Sequence, residues 1–171
     1  ERTLRAACDR LVARLPEGPI RDALRGDAEQ LARMLMRQCP DAPHLALQIE
    51  VTGHNRCSRW HVDHYVGRAL ISYVGPGTWM VDDKDVRFDQ FDATFGQCWE
   101  DSDKRIVPEY DRIHMPATNA VVLMKGASWP GITGHATRKG LVHKSPNVVT
   151  DAQGNLRNRL LLKVDLDLDR D

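Results

Sequence analysis

The segment Arg59–Val81, RWHVDHYVGRALISYVGPGTWMV, decides how the rest of the chain is read. It places His61, Asp63 and His64 within four residues at the mouth of an apolar run, where polar side chains without partners are costly to bury. If residues 61–63 are extended, His61 and Asp63 share one face and Val62 points to the other, because strand side chains alternate with period two. The run that follows, RALISYV, has the composition of a strand, and GPG is the turn that ends it. Any further partner for the His-x-Asp pair has to come from elsewhere in the chain.

Outward from this segment the chain divides in two. Residues 1–40 read as helical: Leu4, Ala7, Leu11 and Leu15 recur every three or four positions, Pro16 and Gly18 interrupt, and Ile20, Leu24, Leu31, Met34 and Leu35 resume before Pro40. From about Ala46 the period changes. LALQIEVT, RALISYVG, TWMVDD, NAVVLMKG, KGLVHKS and RLLLKVDLDL alternate or run apolar, separated by turn chemistry such as GPG, KGASWPG, SPN and AQGN. The expectation is one domain over 1–171: N-terminal helices packed on a mainly β body of seven or eight strands at 45–168, closed as a sandwich or barrel. An acidic segment at about 82–112 reads as an insertion, part helix or hairpin, over one end of that body.

Composition narrows the classes. Lys+Arg and Asp+Glu stand at 24 each in 171 residues, so no global basic field points to nucleic acid or an anionic membrane. Hydrophobic content is 42%, and no run approaches the roughly 18 apolar residues of a membrane span. Cys8, Cys39, Cys57 and Cys98 show no Cys-x-x-Cys spacing, which fits reduced thiols and a cytoplasmic setting. Because the chain opens on Glu1 rather than methionine, a preceding segment is expected to have been removed.

Within the β body, His143 lies 82 positions after His61 in the strand-like GLVHKSP. His61, Asp63 and His143 together make the two-histidine, one-carboxylate set that leaves open positions on an octahedral iron(II). Arg157 and Arg159 follow at the start of the last apolar run, and alternation places both on one face. A guanidinium there suits the far carboxylate of an acidic co-substrate. Ser145 and Tyr73 are the candidate hydroxyl donors to the same carboxylate.

The order HVD, RALISYVGPGTWMV, NAVVLMKGASWPG, GLVHKSP, NRLLLKVDL resembles the double-stranded β-helix core (jelly-roll or cupin-like) of the iron(II)- and 2-oxoglutarate-dependent oxygenases. More narrowly, WHVD, YVGPGT, KGASWPG and GLVHKSP resemble an uncharacterised bacterial domain-of-unknown-function family that travels with zinc-starvation genes and GTPase metal chaperones. The resemblance implies His61, Asp63 and His143 as iron ligands, with zinc or nickel as substitutes, and Arg159 ahead of Arg157 as the 2-oxoglutarate anchor. It also implies oxidative decarboxylation of 2-oxoglutarate coupled to hydroxylation of a small-molecule or protein substrate, in metal-limitation physiology. Lys125, Trp129, His135, Trp79 and Trp99 are candidates to line the mouth.

The rival reading is a zinc-binding or metal-homeostasis protein without redox turnover, in which Cys57 joins His61, His64 and His54 as a softer ligand set. A hydrolytic zinc site would need a general base, for which Glu50 and Glu109 are the candidates. The bland readings stand beside these: His61 and Asp63 as a hydrogen-bonded strand end, Arg157 in solvent, and the tryptophans as core anchors.

Overall fold

The computed structural model describes residues 2–52, 57–96, 98–131, 140–147, 150, 153–155 and 157–167. Two helices open the chain, α1 (Arg2–Val12) and α2 (Pro19–Gln38). Pro19 occupies the first turn of α2, where its missing N–H has no helical partner to lose. Both helices are one-sided: Leu4, Cys8 and Val12 are buried in α1, and Leu24, Ala28, Leu31, Ala32 and Leu35 in α2. The stripe is turned from the one expected, with Ala7, Leu11 and Leu15 half-buried and Ile20 and Met34 exposed.

The six apolar runs form strands β1 (His44–Thr52), β2 (Gly67–Val74), β3 (Trp79–Val81), β4 (Val121–Lys125), β5 (Val142–Lys144) and β6 (Arg159–Asp167). They make two antiparallel sheets, one in the order β1-β6-β2-β4 and one pairing β3 with β5. Single bridges extend the small sheet on both sides: His61 pairs with His143 of β5, and His114 with Met80 of β3. Successive segments therefore cross between the sheets: β1 in the large sheet, His61 in the small, β2 in the large, β3 and His114 in the small, then β4, β5 and β6 in alternation.

Layering follows from the alternation of side chains. Ala69 and Ile71 of β2, with Leu162, Val164 and Leu166 of β6, face the helices and pack with Cys8, Leu31 and Leu35. The opposite face presents Leu70, Val122 and Met124, which meet Met80 of β3 and Leu141, the residue before β5. The acidic segment supplies short helices α3 (Phe88–Ala93) and α4 (Trp99–Ile106). Phe91, Ile106 and Val107 bury against Trp60, Trp79, Val81 and Val142 on the outside of the small sheet. Lys144, 1% exposed, ties this cover down: its ammonium bonds Asp103 of α4 and lies over the rings of Trp60 and Trp79. The mixed helix and antiparallel-sheet architecture matches the expected class, and among the described residues no helix is long and apolar enough to cross a membrane.

Candidate metal centre

His61 and His143 stand side by side because their backbones exchange both hydrogen bonds, N to O at 2.9 Å in each direction. Their rings lie 4.4 Å apart between centroids. Each ring places Nδ1 against a carbonyl oxygen, His61 on Arg59 at 2.8 Å and His143 on Leu141 at 2.9 Å. A carbonyl can only accept, so each Nδ1 donates, which leaves Nε2 as the ring atom directed at the site. Those Nε2 atoms face Asp63, His143 at 3.1 Å from Oδ2 and His61 at 3.6 Å from Oδ1. The three ligand atoms fall within 4.8 Å of one another, a group able to hold a metal ion.

The backbone of the ligand segment is pinned from β4 onward. The Ala127 N–H donates to Asp63 O at 2.8 Å, and Ser128 donates from its N–H to Tyr65 O and from its hydroxyl to His64 O. Gly126 is needed for this approach, since a Cβ there would sit 1.9 Å from the Tyr65 carbonyl oxygen. KGAS, read in the sequence as a turn, is the clamp on the His-x-Asp segment.

Asp63 is held as a carboxylate. Burial alone would raise its pKa, but the hydrogen bond and charge of His143, with the charge of Arg68, outweigh it and hold the group well below the usual carboxylate range. Arg68 Nη1 donates to Asp63 Oδ2 at 2.8 Å. The buried Tyr65 hydroxyl faces the same carboxylate without closing a hydrogen bond of ordinary geometry.

A cavity of about 240 Å³ between the sheets contains His61, Asp63 and His143 at one part of its wall and Arg159 at another. Arg159 is 8% exposed. Its Nε donates to Pro76 O at 2.9 Å, and its terminal nitrogens reach the hydroxyls of Thr78 at 3.2 Å and of Ser72 and Ser145 at 3.4 Å. Among the described residues no carboxylate lies within ion-pair distance of it. Burial lowers its pKa to about 10, with the charge of Glu50 opposing that fall. GPG is the wall of this niche: Gly75, at φ 78°, would bring a Cβ within 2.9 Å of Arg159 Cγ.

The other sequence candidates separate. Ser145 lines the cavity and Arg159 reaches it. Arg157 precedes β6 and is exposed, so it does not share the niche. Tyr73 is corrected as well. It lies on the helix-facing side of β2, where its hydroxyl donates to Asp27 at 2.6 Å, and its neighbour Ser72, on the opposite face, takes the place expected for it beside Arg159. Trp79 and Trp129 are in the hydrophobic clusters, and Lys125 is exposed at the end of β4. His54 and His135 lie outside the described residues, as does the side chain of Trp99. Cys57 lines the cavity at φ 60°, and a hydrogen bond to His61 lowers its pKa against the effect of burial. His64 is exposed, Glu50 is ion-paired with Lys163, and Glu109 is exposed beside Arg112. Arg68, Ser72 and Thr78 were not singled out in the sequence. Their signal was parity, since Arg68, Leu70 and Ser72 share the face opposite Ala69, Ile71 and Tyr73.

No curated protein and no solved structure matches the chain. The model of a family described as a protein of unknown function, DUF1826, matches residues 1–165, which takes in the two N-terminal helices together with both sheets. The chain thus belongs to the DUF1826 family.

Proposed function

We propose that the protein is an iron(II)- and 2-oxoglutarate-dependent oxygenase built on a double-stranded β-helix. The observation that carries the reading is Arg159, a buried guanidinium with three hydroxyls and a carbonyl around it and, among the described residues, no carboxylate within ion-pair distance, in the same cavity as His61, Asp63 and His143. An unpaired buried cation is destabilising by several kcal/mol, which an anionic ligand entering beside it would offset. Strand order supports the fold. Numbering the eight segments along the chain, one sheet runs 1-8-3-6 and the other 2-7-4-5, as in a jelly roll of two Greek keys.

The residues divide the work. His61, Asp63 and His143 would hold the metal through two imidazole nitrogens and one carboxylate. Arg159 would take the distal carboxylate of 2-oxoglutarate, with Ser72, Thr78 and Ser145 completing its hydrogen bonds. The apolar side chains of Leu70, Met124 and Leu161 line the same cavity and limit water. When bound, iron(II) and 2-oxoglutarate supply O₂-driven hydroxylation of a substrate, with succinate and CO₂ as co-products. Zinc or nickel, which bind nitrogen-rich sites more tightly, would occupy the same ligands without that chemistry.

The experiment is succinate formation from 2-oxoglutarate by aerobic, iron-loaded protein without added substrate. Slow, iron-dependent release that Arg159→Met suppresses supports the reading; none above the metal-free control counts against it. A second reading, zinc binding without turnover, is favoured by Cys57 alone, whose thiol shares the cavity wall with His61.

A further inference from the structure

Arg68 grips two carboxylates at once. Besides the Nη1 bond to Asp63 Oδ2, its Nε and Nη2 close a fork on Asp165 at 2.5 and 2.9 Å. Arg68 and Asp165 are direct cross-strand partners of β2 and β6. The guanidinium also lies over the Tyr65 ring, 4.2 Å from its centroid. All three nitrogens of the head group donate to these two carboxylates, so its position, and that of Asp63 Oδ2, is tied to the sheet.

We propose that Arg68 is a positioning residue that keeps Asp63 a one-oxygen metal ligand and thereby preserves the open positions a chelating oxo acid needs. The co-substrate half of this rests on the oxygenase reading; the metal half does not. A carboxylate can give a divalent ion one oxygen or two. The two-oxygen mode fills a position of the octahedron, and a 2-oxo acid requires two adjacent vacancies. With Arg68 donating to Oδ2, one lone pair of that oxygen is taken and its charge partly neutralised, which favours Oδ1 as the stronger ligand atom. Without it both oxygens can close on the metal, and a cation is removed from the metal's surroundings. Metal affinity is then maintained or increased while oxo-acid chelation falls. A tie that served only to join β2 to β6 would not split the two.

The test uses cobalt(II) under anaerobic conditions, read by its visible absorption, followed by titration with 2-oxoglutarate. Arg68→Gln is expected to bind cobalt(II) at least as tightly as the wild type with an altered spectrum, while 2-oxoglutarate binding weakens about tenfold or more. Asp165→Asn, which loosens the fork, and Arg68→Lys, which donates through one nitrogen, are expected to move in the same direction by less. An Arg68→Gln protein with the wild-type spectrum and wild-type oxo-acid affinity overturns the proposal. So does one in which cobalt and oxo acid weaken together with Tm. If the wild-type cobalt protein takes up no 2-oxoglutarate, the oxygenase reading fails, and the spectra decide: unchanged in Arg68→Gln overturns the ligand-mode claim, altered supports it. Should Arg68→Gln not fold, Asp165→Asn and Arg68→Lys carry the same comparison.

Discussion

His61 and His143 are a hydrogen-bonded antiparallel pair, each donating its N–H to the other's carbonyl at 2.9 Å. This one bridge brings residues 82 positions apart into side-by-side register and sends both rings into the same cavity. The neighbours of His143 on β5, Val142 and Lys144, point outward into the packing of the acidic segment. Strand alternation thus assigns one residue of the three to the site and two to the scaffold.

Metal should stabilise the fold through this pair. Saturating manganese(II) or cobalt(II) at about 100 times Kd contributes about 2.7 kcal/mol. For a chain of this size that corresponds to roughly 5–10 °C in Tm. Asp63→Ala and His143→Ala should show no such rise, measured by thermal denaturation with and without metal. An equal rise in both variants would place the metal elsewhere.

Arg159 is expected to separate affinity from stability. Arg159→Met should weaken 2-oxoglutarate binding by about 100-fold, the loss of a charge-assisted carboxylate contact, and leave metal binding unchanged. Because it removes a buried cation without an ion pair among the described residues, it should leave Tm unchanged or raise it. Isothermal titration and thermal denaturation of one preparation test both halves.

The parity of β2 is testable in the adjacent pair Ser72 and Tyr73. Tyr73→Phe loses the bond to Asp27, about 1 kcal/mol of stability, with oxo-acid affinity intact. Ser72→Ala should keep Tm and weaken the oxo acid by a few-fold. Burial and Asp27 raise the Tyr73 pKa, so its contribution is present below the ordinary tyrosine pKa near 10 and is lost as pH rises toward the folded value. Tyr73→Phe should therefore flatten the alkaline limb of Tm against pH.

Asp63 gives the opposite limb. Its pKa is depressed in the fold, so its contribution is present above the ordinary aspartate value near 4 and is lost as pH falls through the lower folded value. In the presence of a chelator, Asp63→Asn should be less stable than the wild type near neutrality, and the gap should narrow below pH 4. A constant gap across that range would contradict the assignment.

Gly126→Ala should be among the most damaging single substitutions, at about 3 kcal/mol or more, because its Cβ meets backbone rather than a movable side chain. Loss of metal binding should accompany the fall in Tm. Gly154→Ala, where no atom lies within 4 Å of the added Cβ but φ is 82°, should cost about 1 kcal/mol and leave metal binding intact.

Much of this was legible in the sequence because period and composition act locally. The helical stripe ending at Leu35 and the six apolar runs become α2 and β1 to β6. His61, Asp63 and His143 were legible as a constellation for a similar reason, since few functions need two histidines and a carboxylate at strand ends. What was not legible depends on register and on which layer covers which face. Tyr73 and Ser72 are neighbours, and only the placement of α2 against one face of β2 tells that Ser72 faces Arg159. Arg157 and Arg159 share parity, but β6 begins at Arg159, so Arg157 falls outside the sheet that would have aimed it. Arg68 was not legible as part of the site, because its two carboxylates lie 5 and 97 positions away.

The most direct measurement is anaerobic titration of 2-oxoglutarate into iron(II)-loaded protein, following the visible band of an iron-bound oxo acid. The account predicts a band that saturates at one equivalent, is absent in Asp63→Ala and requires far more 2-oxoglutarate in Arg159→Met. Iron(II) bound at His61, Asp63 and His143 with no band at any concentration of 2-oxoglutarate would contradict it.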